Sequence, residues 1–235
     1  MKVPEISVIM PAFNAGATLA ASAESVQKQS FPDWELIVID DGSSDNTAVI
    51  AGDLEKKDAR IRLLKLQKNG GLPNARNEGC RQAKGEFIAF LDSDDLWHGD
   101  KLQKQLEFHR THPDIHISHT DFRAFDQHGL VKRSWKWFVE RKRDKEGNLF
   151  PRLCYRNNVG VLTVMVKKMC SSALDFSTHP YGPLRTRTCG YASPNWARTS
   201  ATWMPCWRTT GSLREGFQNE RANTKKHTSN LLKSF

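Results

Sequence analysis

Apolar residues in the first half of the chain fall into short runs separated by polar stretches with helical spacing. Ile6, Val8, Ile9 and Met10 form the first run, which closes at Pro11. Residues 34–39, 61–66, 87–91 and 115–118 form the next four. Short runs rich in Ile, Val, Leu and Phe read as strands. Between them, residues 17–29 and 74–84 predict helices. So does a segment capped by Ser44 or Asp45 that carries Val49, Ile50 and Leu54, and one capped by Asp100 with Leu102 and Leu106 on one face. Strand and helix alternate at the spacing of βαβ units, so the sequence predicts an α/β fold with a mainly parallel sheet flanked by helices. Beyond residue 118, Gly129, the basic stretch 141–145 and Gly147 mark loops, and no internal repeat is present.

The pattern stops near residue 168. The 66 residues from Cys170 onward contain no Val and no Ile, against twenty in the preceding 169. They nevertheless hold three of the five cysteines and three of the seven tryptophans, and no window keeps a period of 2 or 3.6. The chain therefore divides into an α/β domain over residues 1–168 and a tail over 169–235 that is expected to be non-native and poorly ordered. Charge divides the same way. The net +9 of the whole chain is +3 over residues 1–169 and +6 over the tail. Bulk basicity is then no argument for a nucleic-acid partner, and none is expected. The mixed basic and acidic loop around Arg141, Lys142 and Arg143, with Trp135 and Trp137 nearby, suits a solvated face. No apolar run is long enough to span a membrane, and residues 1–10 lack the apolar block of a signal peptide. A cytoplasmic location is expected. Five cysteines without paired spacing make neither a disulfide nor a zinc framework.

Candidate chemistry gathers where the strands end. In an open parallel sheet the ligand crevice lies at the carboxyl ends of the strands. There the sequence places Pro11-Ala12-Phe13-Asn14, Asp40-Asp41-Gly42-Ser43 and Asp92-Ser93-Asp94-Asp95. Asp and Gly after a strand are ordinary turn residues, but three such clusters in strand-end register point to a site. Their carboxylates would repel one another unless a cation sat among them, and Mg²⁺ or Mn²⁺ shared with substrate phosphates fills that need. Arg76 opens a helix after Gly70-Gly71-Leu72-Pro73, where a helix N-terminus and a guanidinium both favour phosphate. His112, His116 and His119 match no zinc spacing and are expected to be solvated or hydrogen-bonded.

Four segments in order resemble glycosyltransferase family 2: Val8-Ile9-Met10-Pro11-Ala12-Phe13-Asn14, then Glu35 through Ser43, then Ala75-Arg76-Asn77 with Gly79, then Leu91 through Asp95. The resemblance covers about residues 4–168. It implies the GT-A fold, nucleotide-sugar donors and inversion at the anomeric carbon. It further implies that Pro11 lies against the base with Phe13 and Asn14 nearby, and that Asp41 accepts a hydrogen bond from the base, commonly uracil. Arg76 would sit near the base or diphosphate. Asp92 would face the ribose beside Ser93, and Asp94 the divalent cation on the diphosphate. Asn158 and Thr163 resemble the acceptor-side segment. The implied partners are a UDP-sugar donor and a glycan or lipid-linked acceptor, with peripheral association at the inner face of a membrane. A nucleotidyltransferase on a similar sheet is the rival reading. It needs a Gly-rich basic loop after the first strand, and Ala15-Gly16-Ala17 lacks one.

An inverting transferase needs a base for the acceptor hydroxyl. The resemblance places that carboxylate in a later Glu-Asp motif, which the tail lacks in this frame, so the base residue is unassigned. Shifting the codon register by joining the third base of each codon to the next two supplies a candidate. Junctions from Tyr181 to Gly190 then permit R-T-A-E-D-x-D-L-W. Three later junctions are forced by the genetic code: Trp196/Ala197 gives Gly, Trp203/Met204 Asp and Met204/Pro205 Ala. The tail is accordingly read as out of phase from about residues 166–170. A chain in this form would bind donor without transferring the sugar.

Overall fold

The computed structural model describes residues 2–123, 125–126, 129–130, 160–168, 201–203 and 209–210. In chain order these form β1 (Ile6–Ala12), α1 (Leu19–Gln27), β2 (Trp34–Asp40), α2 (Thr47–Lys57), β3 (Ile61–Lys65), α3 (Leu72–Gln82), β4 (Phe87–Phe90), α4 (Lys101–Thr111) and β5 (Ile117–His119). The short strands β6 (Phe122–Arg123), β7 (Phe125–Asp126) and β8 (Gly129–Leu130) follow. Then come a 3₁₀ turn (Val161–Thr163), β9 (Val164–Lys167), β10 (Ala201–Trp203) and β11 (Thr209–Thr210).

The main sheet runs β10-β5-β9-β4-β1-β2-β3. Strands β4, β1, β2 and β3 are parallel, and β9 lies antiparallel between β4 and β5. Both faces are covered, which explains the unbroken apolar runs. Val8, Met10, Leu36 and Val38 pack with residues of α1, α2 and α4, whereas Ile9, Ile37 and Ile39 pack with Ala75 and Cys80 of α3. The chain builds outward from β1 to β3 and then crosses back to β4 on the other side of β1. The β1/β4 boundary is therefore the topological switch point, where ligands of such sheets bind.

Two expectations are corrected. Pro11 does not close β1, which continues to Ala12. Its ring is tolerated because Ile9 and Pro11 face the β4 side, and β4 pairing ends at Ile9↔Phe90. No ladder hydrogen bond is lost there. Asp100 occupies the N-cap position of α4 as expected, but its carboxylate turns to His98 and Lys104 rather than to the helix N–H groups. The antiparallel β9 was not foreseen. Of the tail, two short strands belong to the described residues: β10 beside β5, and β11 beside β6. The basic loop 141–145, Trp135, Trp137 and Asn158 lie outside them.

Candidate functional site

The parallel register places Ala12 beside Asp40, and Ile9 beside Phe90, two residues before Asp92. The three predicted clusters thus meet at one end of the sheet. Asn14 adopts a left-handed backbone (φ 50°), a conformation Asn tolerates better than most residues. Its Oδ1 accepts from the Ser44 N–H at 2.9 Å, and its own N–H donates to Ser43 Oγ at 3.0 Å. Asn14 therefore ties the loop after β1 to the loop after β2. Asp45 adds to that tie, accepting from the Gly16 N–H at 3.0 Å and from the Thr47 N–H at 2.9 Å. Partial burial works against the charged Asp45 carboxyl, but hydrogen bonds led by the Thr47 hydroxyl outweigh it and hold its pKa below the usual range. Phe13, beside this clasp, keeps half its surface exposed at the mouth of the site.

Asp41 is buried, and its two carboxylate oxygens accept from the Gly70 and Gly71 N–H groups, each at 2.8 Å. Next to it Gly42 has φ 71°, and a Cβ there would come within 2.8 Å of the Asn69 backbone nitrogen. Asp41 and Gly42 together fasten the loop that opens α3. That helix sits close to the sheet because Gly79 faces it. An added Cβ would meet Ile9 Cγ2 at 2.5 Å and Ile39 Cδ1 at 2.8 Å. One turn earlier on α3, the buried Arg76 reaches Asp92, with Nη2 2.7 Å from Oδ1.

The pairing of Arg76 with Asp92 revises one inference from sequence. A cation does sit among the strand-end carboxylates, and it is the protein's own guanidinium. Charge repulsion alone therefore does not require a metal. The donor chemistry still fits one. Asp92 and Asp94 are half-buried carboxylates one residue apart, and no group of three or more His, Cys, Asp or Glu is gathered among the described residues. Two carboxylates with diphosphate oxygens and water completing the shell suit Mg²⁺ or Mn²⁺. Ser93 and Asp95 are buried beneath that loop, and the Asp95 N–H donates to the Asp92 carbonyl at 3.1 Å.

Sequence reasoning missed the polar underside of this loop. Lys101, Gln105 and His109 line the inner face of α4 together with Leu102 and Leu106. Burial pushes the Lys101 ammonium down to about 7 and His109 down to about 4. The three histidines considered as ligands are scattered: His112 stacks on Phe108 at 4.4 Å between ring centres, His119 is buried in β5, and His116 precedes it.

A parallel sheet with an acid-rich switch point and an added antiparallel β9 is the GT-A architecture. Other solved structures share it. Staphylococcus aureus TarS (residues 1–349), in complex with UDP-GlcNAc, has a TM-score of 0.66 at 21% identity, covering 96% of this chain and 60% of that one. The mannosyltransferase PcManGT from Pyrobaculum calidifontis, in complex with GDP-Man and Mn²⁺, has a TM-score of 0.67 at 15% identity, covering 92% and 59%. Residues 7–170 match the sequence model of Glycosyl transferase family 2, and the chain belongs to that family. Among curated relatives, the Escherichia coli UDP-Glc:alpha-D-GlcNAc-diphosphoundecaprenol beta-1,3-glucosyltransferase WfgD is 50% identical over 101 residues, 43% of this chain and 39% of its own. The match spans about two-fifths of the length of the first such relatives.

Proposed function

We propose that residues 1–168 form the donor-binding half of a glycosyltransferase that takes a UDP-sugar and transfers its glycosyl group with inversion to an acceptor hydroxyl. The observation that carries this reading is the Arg76–Asp92 pair at the β1/β4 switch point, flanked by the Asp41–Gly70–Gly71 clasp. Phe13, half exposed beyond the buried Pro11, offers an apolar surface to the base, with Asn14 holding their loop. Asp41 has lone pairs left on oxygens already fixed by backbone N–H groups, and these can accept from the base. Asp92, oriented by Arg76, faces the ribose beside Ser93, and the guanidinium lies toward the diphosphate. Asp94, with Asp92, would hold a divalent cation, which when bound neutralises charge on the leaving nucleoside diphosphate.

The acceptor class follows from WfgD, whose name specifies a diphosphoundecaprenol-linked sugar. We infer a lipid-linked glycan acceptor here too, reached from the inner face of a membrane. No helix among the described residues is long and apolar enough to cross one.

The base for the acceptor hydroxyl is assigned to the displaced reading frame of the tail, so the chain as written binds donor without transfer. Two measurements test this. Calorimetry with UDP and Mn²⁺ should give binding that weakens at least about ten-fold in Asp94→Asn, and unchanged affinity in that variant sinks the assignment. Nucleotide sequence across residues 166–206 should spell the acidic motif in the shifted frame. Restoring that frame should restore sugar transfer, and other codons at those junctions end the idea.

A further inference from the structure

Lys101 is 1% exposed, and its partners among the described residues are neutral. Its ammonium bonds Gln105 Oε1 and stands 4.2 Å from the centre of the Trp97 ring. Those two side chains hold successive carbonyls of the 3₁₀ turn before β9. Trp97 Nε1–H donates to the Leu162 carbonyl at 3.0 Å, and Gln105 Nε2–H to the Thr163 carbonyl at 3.2 Å. Trp97 is two residues past the Asp92–Asp95 cluster. The turn lies beside the carboxyl end of β4, because β9 runs antiparallel to it with Met165 opposite Ala89. One ammonium thus touches two side chains, one from the loop after β4 and one from α4, that both bond the turn before β9.

The surrounding bonds leave Lys101 little choice of partner. Gln105 Nε2 also donates to Ser118 Oγ at 3.0 Å. The Ser118 hydroxyl meets His109 Nε2 at 3.0 Å, and His109 Nδ1–H donates to the Ile115 carbonyl at 3.1 Å. With its amide nitrogen committed, Gln105 presents only its oxygen to Lys101. The backbone is held as firmly, since the Leu102 N–H donates to Gln29 Oε1 and Gln29 Nε2–H to the His98 carbonyl. Among the described residues Lys101 has no carboxylate partner, and a buried ammonium left that way weakens a fold rather than strengthening it. Stability is therefore not what this ammonium supplies.

We propose that Lys101 is a positioning residue of the candidate site, holding the Val161–Thr163 turn against the Asp92–Asp95 loop through Trp97 and Gln105. The proposal rests on the reading of that loop as the diphosphate side of a donor site. Lys101→Met keeps the length of the side chain and removes its donors. The variant is expected to fold and to melt no more than about 3 °C below wild type. Its affinity for UDP with Mn²⁺ should fall about ten-fold, as for residues that orient metal ligands. The indole N–H resonance of Trp97, assigned by its loss in Trp97→Phe, should exchange with solvent at least about ten times faster, its hydrogen bond to Leu162 being loosened. A variant that fails to fold, or melts further below wild type, overturns the proposal, because Lys101 is then a stability element. UDP affinity or indole exchange within two-fold of wild type overturns it as well. If wild type itself does not bind UDP, the donor reading fails, and melting and indole exchange alone judge the tether.

Discussion

Asp41 shows how a residue legible in the sequence acquires a second task in the fold. Its place after a strand marks it as a site candidate, but its two bonds to Gly70 and Gly71 come from a loop almost thirty residues away. No local pattern reports that contact. Asp41→Asn would keep the shape and turn an amide N–H₂ toward a backbone donor. Leaving a buried N–H unmatched costs about 1–3 kcal/mol, so the denaturant midpoint should drop accordingly, and UDP affinity with it because the loop opens α3. A midpoint equal to wild type would show that the clasp is dispensable. Arg76 and Asp92 were legible as candidates but not as a pair. Lys101 and Gln105 were invisible for the opposite reason: polar residues on a helix normally signal its solvated face. The spacing of Lys101, Leu102, Gln105, Leu106 and His109 did carry a signal, since all five fall on one stripe.

At the scale of elements, α3 is the part that converts sequence into site geometry. Its distance from the sheet is set by one glycine. Gly79→Ala improves helix propensity by about 1 kcal/mol. It also drives a methyl group into Ile9 Cγ2, which belongs to a β-branched side chain in a central strand and has little room to turn. Overpacking of this kind costs about 1–3 kcal/mol, so the net effect should be a lower melting temperature. A displaced α3 would carry Arg76 away from Asp92, and UDP affinity should fall more than stability alone explains. If Gly79→Ala melts higher and binds UDP as wild type does, the close approach is not what positions Arg76. The strands and helices of residues 6–111 were readable because each buries a face on the sheet. β9 was not, because four residues of an antiparallel strand between two others look like any short apolar run. Pro11 misled for a similar reason: whether proline ends a strand depends on where the neighbouring strand stops.

Across the whole molecule, the net charge of +9 says little about pH response. That response is expected from two buried groups on α4. His109 is held neutral, its pKa pushed by burial from 6.5 to about 4. Between those values the unfolded chain binds a proton that the folded chain refuses, so stability rises with pH across about 4 to 6.5. Its contribution is complete above 6.5 and lost as pH falls through 4, with a ceiling near 3 kcal/mol. Lys101 has the same sign in a higher window. Burial lowers it from 10.5 to about 7, so the unfolded chain again holds more protons, and stability keeps rising from pH 7 toward 10.5. Asp58, held at about 2 chiefly by its hydrogen bond from Arg60, contributes lower down, between 3.8 and 2. Urea midpoints measured from pH 4.5 to 9, below the range where the Cys80 thiol, pushed by burial from 9.0 to about 12, acts with the opposite sign, should therefore climb in two steps. His109→Gln should flatten the acid step and leave the alkaline one, and Lys101→Met should do the reverse. A profile that peaks near neutrality and declines by pH 9, or a slope from pH 7 to 9 that survives in Lys101→Met, would mean the ammonium is not buried as the structure has it.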